Sequence, residues 1–349
     1  MNTAFAPWQQ RIFAQVSTAL DAGRLGHALL FTGPAGLGKR AVVERLAQQA
    51  LCTGRAPGEA PCGECRGCRL YLSRSQRDPL EERPDKLLAH PNGHPAHPDA
   101  IFVGYAWRQT PSPARQLTQI TVEQIRGLSE RLGKTPQYGG AQVAVIEPVD
   151  AMNEAAGNAL LKTLEEPVAG RYLWLVTAHP NRLPATIRSR CQTFEFRLPP
   201  RAESLGWLQQ QGHPAGLAAE ALDAARGHPG LAHAWLSGGE LELRREVGAD
   251  LAAVATGKLA VVATAQRWVA DEHADLRLRF AADLAVEAAA NGLTDPLRAR
   301  SLAAWFDRAN RARDLLRTTA RADLVVVELL LAWRAAEPKH APTRQGIDA

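Results

Sequence analysis

A glycine-rich segment near the N-terminus has the residue types and spacing that bind phosphate. It matches G-x-x-x-x-G-K, and its glycines and lysine are Gly33, Gly36, Gly38 and Lys39. Such glycines turn backbone N–H groups toward an anion, and the lysine adds a positive charge. Active enzymes continue with Ser or Thr, whose hydroxyl binds Mg²⁺, but here Arg40 follows. The segment therefore predicts a nucleotide-binding fold that no longer hydrolyses nucleotide.

A second part of a nucleotide site is expected where an apolar run ends in an acid. Residues 143–146 are apolar and Glu147 follows them, at the position where motor ATPases carry a carboxylate that supports Mg²⁺. The next residue of an active motor is a second acid that activates water, whereas Pro148 has no group that accepts a proton. Two interpretations of Glu147 are equally consistent with the sequence: a carboxylate that can still approach a metal, and an ordinary carboxylate at the end of a strand. Arg40 and Pro148 are two separate departures from a hydrolytic site, so we expect no intrinsic ATPase activity.

Four cysteines have the spacing of metal ligands. They follow C-x9-C-x2-C-x2-C and are Cys52, Cys62, Cys65 and Cys68, with turns predicted at Gly63 and Gly67. Four thiolates with no open position are typical of a structural zinc site. An iron–sulfur cluster is the main alternative, but the ferredoxin pattern includes a later Cys-Pro that this spacing lacks. A redox pair of Cys65 with Cys68 is a weaker alternative. We therefore expect structural zinc.

A basic motif, Ser189-Arg190-Cys191, follows the strand predicted at 173–177 and the segment 183–188. An arginine in such a place is most often a surface or interface charge. In an oligomeric ATPase, however, an arginine of one subunit can reach the γ-phosphate that its neighbour binds and stabilise charge in the transition state. Arg190 is therefore a candidate for a residue that acts on another subunit.

The apolar patterning of residues 1–200 predicts strands that alternate with helices. The expected strands are Ala28–Thr32, Ala100–Val103, Val143–Ile146, Leu173–Val176 and a short one through Phe194 and Phe196. The expected helices are Lys39–Leu51, Ile120–Leu132 and Asn153–Leu164. Thr121 and Gln124 predict a capping box at the start of the second of these helices. The alternation is typical of a parallel sheet with helices on both faces.

The rest of the chain is predicted to contain helices and one long loop. Residues 201–336 are rich in Ala, Leu and Arg at helical spacing and carry no strand signal. The stretch 69–118, rich in proline and charge, is predicted to be a loop or insertion around its one strand. Its three histidines, expected at the surface, are His90, His94 and His97. We interpret the basic segment 298–321 as a solvated or subunit-contacting helix rather than a DNA-facing one.

The composition restricts the class of protein. The chain has 349 residues, of which 46% are hydrophobic and 22% charged, as is typical of a globular protein with two or three domains. A net charge of +5 permits contact with nucleic acid but does not require it. The N-terminus lacks the pattern of a secretory signal, and no apolar run approaches the ~18 residues of a spanning helix. We therefore expect a cytoplasmic protein without structural disulfides.

In these motifs the chain resembles the delta-prime family of bacterial clamp-loader subunits, which are AAA+ proteins. Two further stretches carry the resemblance: residues 158–167, N-A-L-L-K-T-L-E-E-P, and residues 186–191, T-I-R-S-R-C. The resemblance implies a P-loop AAA+ module with a five-stranded parallel sheet and a zinc-binding insertion, a small helical lid and an all-α collar. The implied domains are 1–198, with the zinc module at 52–68, then 199–240 for the lid, 241–337 for the collar and 338–349 for a disordered tail.

The resemblance also implies roles for individual residues. It makes Arg190 an arginine finger that acts in trans on ATP held by a neighbouring motor subunit. Thr177 matches the first sensor position of the motor subunits, and Gly230 lies where they carry a second-sensor arginine, which is a third departure from an active motor. The degenerate nucleotide site implied in this way comprises Gly33, Gly36, Gly38, Lys39, Glu147 and Thr177. ATP binding is compatible with such a site but is not required of it.

The implied function is that of a non-hydrolysing subunit in DNA replication, part of the polymerase holoenzyme and so of a nucleotidyltransferase complex. The expected partners are the gamma/tau motor subunits and the delta subunit in a five-membered ring, and through the ring the sliding clamp and primer-template DNA. Two other hypotheses stay open from the residues alone. One is a self-sufficient AAA+ ATPase that uses Glu147 for Mg²⁺, and the other is a zinc-containing nucleic-acid-binding module with a relic ATPase fold.

Overall fold

The computed structural model of the chain describes residues 4–73, 94–108, 115–138, 140–291, 295–316 and 318–336. The chain divides into two compact units, residues 1–233 and residues 234–349. The first unit contains the glycine-rich segment, the four cysteines and Arg190. The finer boundaries at 199, 241 and 338 stay predictions, and the predicted disordered tail, 338–349, lies outside the described residues.

A parallel β-sheet forms the centre of the first unit. The strands in chain order are β1 (Ala28–Thr32), β2 (Ala100–Val103), β3 (Trp107–Arg108), β4 (Arg115–Gln116), β5 (Gln142–Ile146), β6 (Arg171–Val176) and β7 (Gln192–Glu195). Five of them pair in parallel in the order β2-β5-β6-β1-β7, and β3 and β4 form a separate antiparallel pair. β1, β2 and β5 are buried along their whole length, which explains their continuous apolar sequences. The predicted five-stranded parallel sheet is confirmed.

Nine helices are described in or at the end of the first unit. They are α1 (Pro7–Asp21), α2 (Lys39–Leu51), α3 (Arg66–Leu72), α4 (Val122–Leu132), α5 (Glu154–Glu165), α6 (Ala185–Arg188), α7 (Arg201–Gln210), α8 (Ala215–Ala224) and α9 (Pro229–Gly238). The division between the two units falls within α9. Two apolar clusters cover the two faces of the sheet: α1 and α2 contribute to one, and α4 and α5 to the other.

Local capping explains where the helices beside the sheet begin. The backbone N–H of Thr121 donates to the side-chain oxygen of Gln124 at 3.0 Å, which confirms the predicted capping box of α4. At α5 the Asn153 side chain accepts from the N–H of Ala156 at 2.8 Å. At α1 the N–H of Ala6 donates to the side-chain oxygen of Gln9 at 3.0 Å, but Ala6 has no capping oxygen of its own, and the sequence did not predict this helix.

The predicted loop 69–118 differs from the structure in three ways, one of which is that it contains the short strands β3 and β4 besides β2. Helix α3 extends into it as far as Leu72, so its first residues are helical. His97 is buried instead of exposed, and its Nδ1 accepts from the N–H of Asp99 at 3.1 Å. The surface prediction is therefore wrong for His97, and His90 lies outside the described residues.

The second unit is helical wherever it is described, as predicted. Its further helices are α10 (Glu240–Ala255), α11 (Val261–Trp268), α12 (Ala274–Asn291), α13 (Pro296–Leu315) and α14 (Ala322–Ala336). Buried tryptophans hold them together: the indole N–H of Trp305 donates to the Leu329 carbonyl at 2.9 Å, and that of Trp333 to the Leu251 carbonyl at 3.0 Å. Leu315 at the end of α13 is exposed. None of the helices in the described ranges has the length and apolar character needed to cross a membrane.

Candidate nucleotide and metal sites

The glycine-rich segment connects β1 to α2, which is the strand-loop-helix context of a phosphate loop. Its three glycines all have positive φ angles, +121° at Gly33, +83° at Gly36 and +79° at Gly38. Side chains rarely adopt this backbone conformation, so glycine is required there. A β-carbon at Gly33 would also overlap the backbone carbonyl of Phe196. The segment therefore has the backbone shape that its sequence predicts.

Side chains of α1 pack directly on this loop. The indole N–H of Trp8 and the side-chain amide of Gln9 both donate to the Leu37 carbonyl, each at 3.1 Å. A β-carbon at Gly38 would overlap the Gln9 amide. The unpredicted first helix thus fixes the second half of the loop from the outside.

Lys39 is satisfied within its own loop. Its Nζ donates to the carbonyl oxygens of Gly33 at 2.6 Å and Pro34 at 2.8 Å, and the residue is 6% exposed. Burial lowers the pKa of Lys39, and the nearby charges of Glu147 and Asp150 oppose that shift. The lysine that would reach a phosphate is therefore bound to backbone carbonyls.

Arg40 forms a half-buried ion pair with the strand-end acid. Its Nε donates to Glu44 at 2.6 Å and its Nη1 donates to Glu147 at 3.0 Å. The guanidinium carbon also lies 4.4 Å from the ring centre of Phe102 on β2. Burial alone would lower the pKa of Arg40, but the two carboxylates outweigh burial and raise it.

The residues at this end of the loop do not fit Mg²⁺. The position of the metal-binding hydroxyl holds a guanidinium, and the Glu147 carboxylate that would support the metal already accepts from that guanidinium. A second cation beside a paired carboxylate is repelled by the first. The sequence predicted the missing hydroxyl but not the arginine that engages Glu147.

Thr177, which was predicted to occupy a first sensor position, lies at the end of β6 and is buried. Its hydroxyl donates to a carboxylate oxygen of Asp150 at 2.5 Å and accepts from the N–H of His179 at 2.8 Å. Asp150 was not among the predicted site residues. Its position three residues after Glu147, just beyond the end of an apolar strand, was the available signal.

The start of α9 covers the tip of the phosphate loop. The Nδ1 of His228 accepts from the N–H of Leu231 at 3.0 Å, so the Nε2 carries the proton and donates to the Ala35 carbonyl at 2.7 Å. A β-carbon at Gly230 would overlap the Gly36 carbonyl. Gly230 therefore permits direct backbone packing on the loop.

The four predicted cysteine ligands converge on one point at the opposite end of α2. Their sulfur atoms all lie within 4.8 Å of one another. Sulfur–sulfur distances are 3.5 Å for Cys52–Cys62, 3.9 Å for Cys52–Cys65 and 4.0 Å for Cys62–Cys68. A tetrahedral zinc site with bonds of ~2.3 Å has sulfurs ~3.8 Å apart. All the cysteines are free of disulfides, so the donor set and its size fit zinc.

Helix ends hold the cysteines in place. Cys52 is the C-cap of α2, and Cys65 is the N-cap of α3, where its sulfur accepts from the N–H of Cys68 at 3.3 Å. Burial opposes ionisation of Cys65, but backbone N–H groups outweigh it and lower the pKa of this thiol to about 5. Burial raises the pKa of Cys68 to about 12. A metal must therefore displace the Cys68 proton when it binds.

The two predicted turn glycines of the cysteine module have different roles. Gly63 has a φ of +77° and forms the predicted turn between Cys62 and Cys65. The prediction is wrong for Gly67, which lies within α3. A β-carbon there would be 2.5 Å from the Leu51 carbonyl, so glycine allows α3 to approach the end of α2.

A buried ion pair joins the cysteine module to α1. The Asp21 carboxylate accepts from the Arg55 guanidinium and from the N–H of Gly58, the latter at 2.7 Å. The hydrogen bond from Arg55 is the main reason that the pKa of Asp21 is lowered. The loop between the first two cysteines is therefore fixed independently of any metal.

Arg190 lies at the surface just after α6. Its Nη2 pairs with Glu165 at the end of α5 at 2.7 Å, and its Nη1 donates to the Thr186 carbonyl at 3.0 Å. The side chain is 38% exposed. Cys191 beside it is half-buried, and burial raises the pKa of its thiol to about 11. Both partners of Arg190 lie outside the glycine loop.

Comparison with known proteins gives a consistent family. The family model described as "DNA polymerase III, delta subunit" matches residues 8–200. The DNA polymerase III subunit delta' of Pseudomonas aeruginosa is 34% identical over 264 residues, which are 75% of this chain and 70% of that protein. The delta' subunit of Escherichia coli is 32% identical over 249 residues, 70% of this chain and 65% of that protein.

A tau-subunit relative and a solved structure are also similar to the chain. The DNA polymerase III subunit tau of Bacillus subtilis is 31% identical over 189 residues, 54% of this chain and 28% of that protein. Among solved structures, a gamma-subunit-related protein of DNA polymerase III from Thermotoga maritima aligns over 92% of this chain and 98% of its own. Its sequence identity is 14% and its TM-score is 0.45.

Proposed function

This chain belongs to the family of DNA polymerase III delta-prime subunits, and from that premise we propose that it is a non-hydrolysing subunit that helps load the sliding clamp onto primed DNA. One observation carries the proposed lack of hydrolysis: Arg40 occupies the position of the metal-binding hydroxyl and pairs with Glu147. Pro148 leaves no general base at the next position. A self-sufficient ATPase would need Glu147 free for Mg²⁺.

The proposed contribution of the chain to catalysis is made in trans. Arg190 is partly exposed, and within the described residues it is held by one surface carboxylate and one backbone carbonyl. An ion pair between exposed groups contributes little free energy, so a phosphate of a neighbour can replace Glu165 as the partner of the guanidinium. Arg190 would then stabilise charge on the γ-phosphate of ATP bound by that neighbour.

The proposed partners follow from the family. They are the gamma/tau motor subunits and the delta subunit in a five-membered ring, with the sliding clamp and primer-template DNA reached through the ring. The helical second unit, α10–α14, would serve as the collar through which the subunits assemble. Such a role places the chain in the cytoplasm, where bacterial DNA is replicated.

Two ligands belong to the proposal. Zinc on the four thiolates at 52–68 would be structural, because four sulfur donors leave no open position for substrate. It would hold the end of α2 to the start of α3. ATP is not required at the glycine loop, since Lys39 is satisfied by backbone carbonyls. The degenerate nucleotide site would thus have a structural role and would not hydrolyse ATP. Its residues are Gly33, Gly36, Gly38, Lys39, Glu147 and Thr177.

The test of this function is Arg190→Ala in a reconstituted clamp loader. The ATPase stimulated by DNA and clamp should fall, because an arginine finger contributes ~10³-fold or more at the site that it serves. Arg188→Ala is the matched control, since Arg188 is also exposed and ends α6 two residues earlier. Assembly, followed by size-exclusion chromatography, should be unchanged in both variants.

Two results would contradict the proposed role in trans. An unchanged stimulated rate in the Arg190→Ala complex would remove this residue from catalysis. An equal loss in the Arg188→Ala complex would mean that the surface, and not the guanidinium of Arg190, is what the neighbour needs.

A further inference from the structure

We propose that Arg40 is a built-in cation that takes the place of Mg²⁺ in the phosphate loop and excludes the metal from it. The exclusion rests on the same degenerate site as the proposed function, but it is independent of the role of Arg190. The two can therefore fail separately.

The position of Arg40 places its charge where the loop would hold a metal. Arg40 follows Lys39 directly, as the metal-binding Ser or Thr does in an active loop. From the first turn of α2 its side chain reaches Glu147 at the end of β5, 107 residues away in sequence. The guanidinium thus bridges the loop and the strand-end acid, which is the task of Mg²⁺ and its water in an active site.

Three contacts from three elements fix the guanidinium. Glu44 accepts at 2.6 Å one turn along α2, Glu147 accepts at 3.0 Å beyond β5, and the Phe102 ring of β2 lies 4.4 Å from the guanidinium carbon. The Arg40 side chain is 17% exposed. A planar guanidinium suits two carboxylates and a ring face together, whereas a point charge does not.

The two carboxylates beside Arg40 already have a cation. Lys39 is buried and the Arg40 side chain is 17% exposed, and Glu44 and Glu147 are the two carboxylates beside Arg40. Asp150 is a further carboxylate, and the Thr177 hydroxyl donates to it. A dication added here would meet two fixed positive charges at low dielectric, where repulsion is strong.

Removal of the arginine should convert the position into a metal site. In Arg40→Ser, the carboxylates of Glu44 and Glu147 face each other without their shared cation, and a hydroxyl stands beside them. Carboxylate and hydroxyl oxygens are the donors that Mg²⁺ and Mn²⁺ prefer. Removal of Arg40 also takes away the cation that pairs with the Glu147 carboxylate, which favours any cation that can neutralise it.

The experiment is a Mn²⁺ titration of the full-length, zinc-loaded chain followed by electron paramagnetic resonance, with and without ADP. The wild type should bind no Mn²⁺ at the loop. Arg40→Ser should bind Mn²⁺ at least tenfold more tightly than the wild type, and Arg40→Ser with Glu147→Gln should lose that gain. Arg45→Ser is the matched control, because Arg45 lies on the same helix but donates to Gln48. It should behave as the wild type does.

Several outcomes would overturn the proposal. One is stoichiometric Mn²⁺ binding by the wild type that Glu147→Gln removes. Another is a folded Arg40→Ser variant that gains no Mn²⁺, or one whose gain survives Glu147→Gln. If Arg40→Ser does not fold, the wild-type titration decides alone, since bound Mn²⁺ at Glu147 is incompatible with a resident cation.

Discussion

The two ends of helix α2 carry sites that look equally functional in sequence and differ in structure. At its first turn, Lys39 and Arg40 have found partners within the protein, two carbonyl oxygens for one and two carboxylates for the other. At its C-cap, Cys52 joins three other thiols whose sulfurs converge within 4.8 Å. At the first turn of α2 the charged side chains are already bound to protein groups. At its C-terminal end four sulfur donors surround a common centre.

The glycine loop has kept only its backbone shape, whereas the cysteine cluster has kept a complete set of ligands. The glycine loop keeps its positive φ angles and its place between strand and helix, so the backbone of a nucleotide site survives. Its charged side chains, however, are engaged with protein groups. The partners of the thiols are one another, backbone N–H groups and the Thr53 side chain, none of them a cation, so an ion still adds free energy there. Variants at the two ends of α2 should therefore differ in metal content and in stability.

The largest expected effect is the loss of metal at the cysteine end. Cys68→Ser removes one of four thiolates, and structural zinc contributes ~10 kcal/mol or more to folding in small domains. Metal analysis should fall from about one zinc per chain to near zero, by the four-thiolate count. Cys191→Ser, the control, should keep its zinc, because Cys191 lies outside the cluster. Visible iron–sulfur absorbance in the wild type, or full zinc content in Cys68→Ser, would contradict the assignment.

The next effect is expected where α9 packs on the glycine loop. Gly230→Ala places a β-carbon onto the Gly36 carbonyl and should lower the free energy of unfolding by ~3 kcal/mol. Gly216→Ala on α8, where a β-carbon meets nothing within 4 Å, should instead stabilise slightly by helix propensity. Urea unfolding measures both. Equal stability of the two variants would mean that the loop is not covered by α9.

A similar contact at the cysteine end should cost somewhat less. In Gly67→Ala the new β-carbon would lie 2.5 Å from the Leu51 carbonyl, and moving α3 aside should cost ~2 kcal/mol. Gly127→Ala on α4, which has open space, is the control. Thermal unfolding of the zinc-loaded proteins checks the difference. A Gly67→Ala variant as stable as the control would show that α3 is not held against the end of α2.

The smallest effect is expected at Asp21, which holds the cysteine loop to α1. Its folded pKa lies below the usual value of 3.8, so its stabilisation is present above that value and is lost as pH falls through the folded pKa. Asp21→Asn should therefore lower stability by ~1.5 kcal/mol near neutral pH and by less below about pH 4. Asp323→Asn, in an exposed pair with Arg321, should change little. A difference that does not shrink in acid would exclude the ion pair as its cause.

The sequence predicts what depends on short-range pattern. The strands from Ala28, Val143 and Leu173, the capping box at Thr121 and the convergence of the cysteines all follow from residues close in the chain. So does the glycine loop, because its three glycines are needed for backbone angles that other residues rarely adopt.

What the sequence does not show are contacts between distant segments. From the sequence, Arg40 indicated only that the metal-binding hydroxyl is absent. Its pairing with Glu147 could not be predicted, because the two residues are 107 positions apart and the sheet brings them together. Gly67 was wrongly predicted to form a turn. Its actual role is to allow the close approach of Leu51, which is a contact between helices and leaves no local pattern. His228 and Gly230 meet the loop through the packing of α9, for which no local pattern exists.

The central claim is that this chain keeps the frame of a nucleotide motor without turnover of its own. The most direct test is phosphate release from Mg²⁺-ATP by the purified, zinc-loaded chain alone, beside its Lys39→Ala variant. The account predicts no release above the protein-free background in either protein. Sustained release by the wild type that Lys39→Ala abolishes would contradict it.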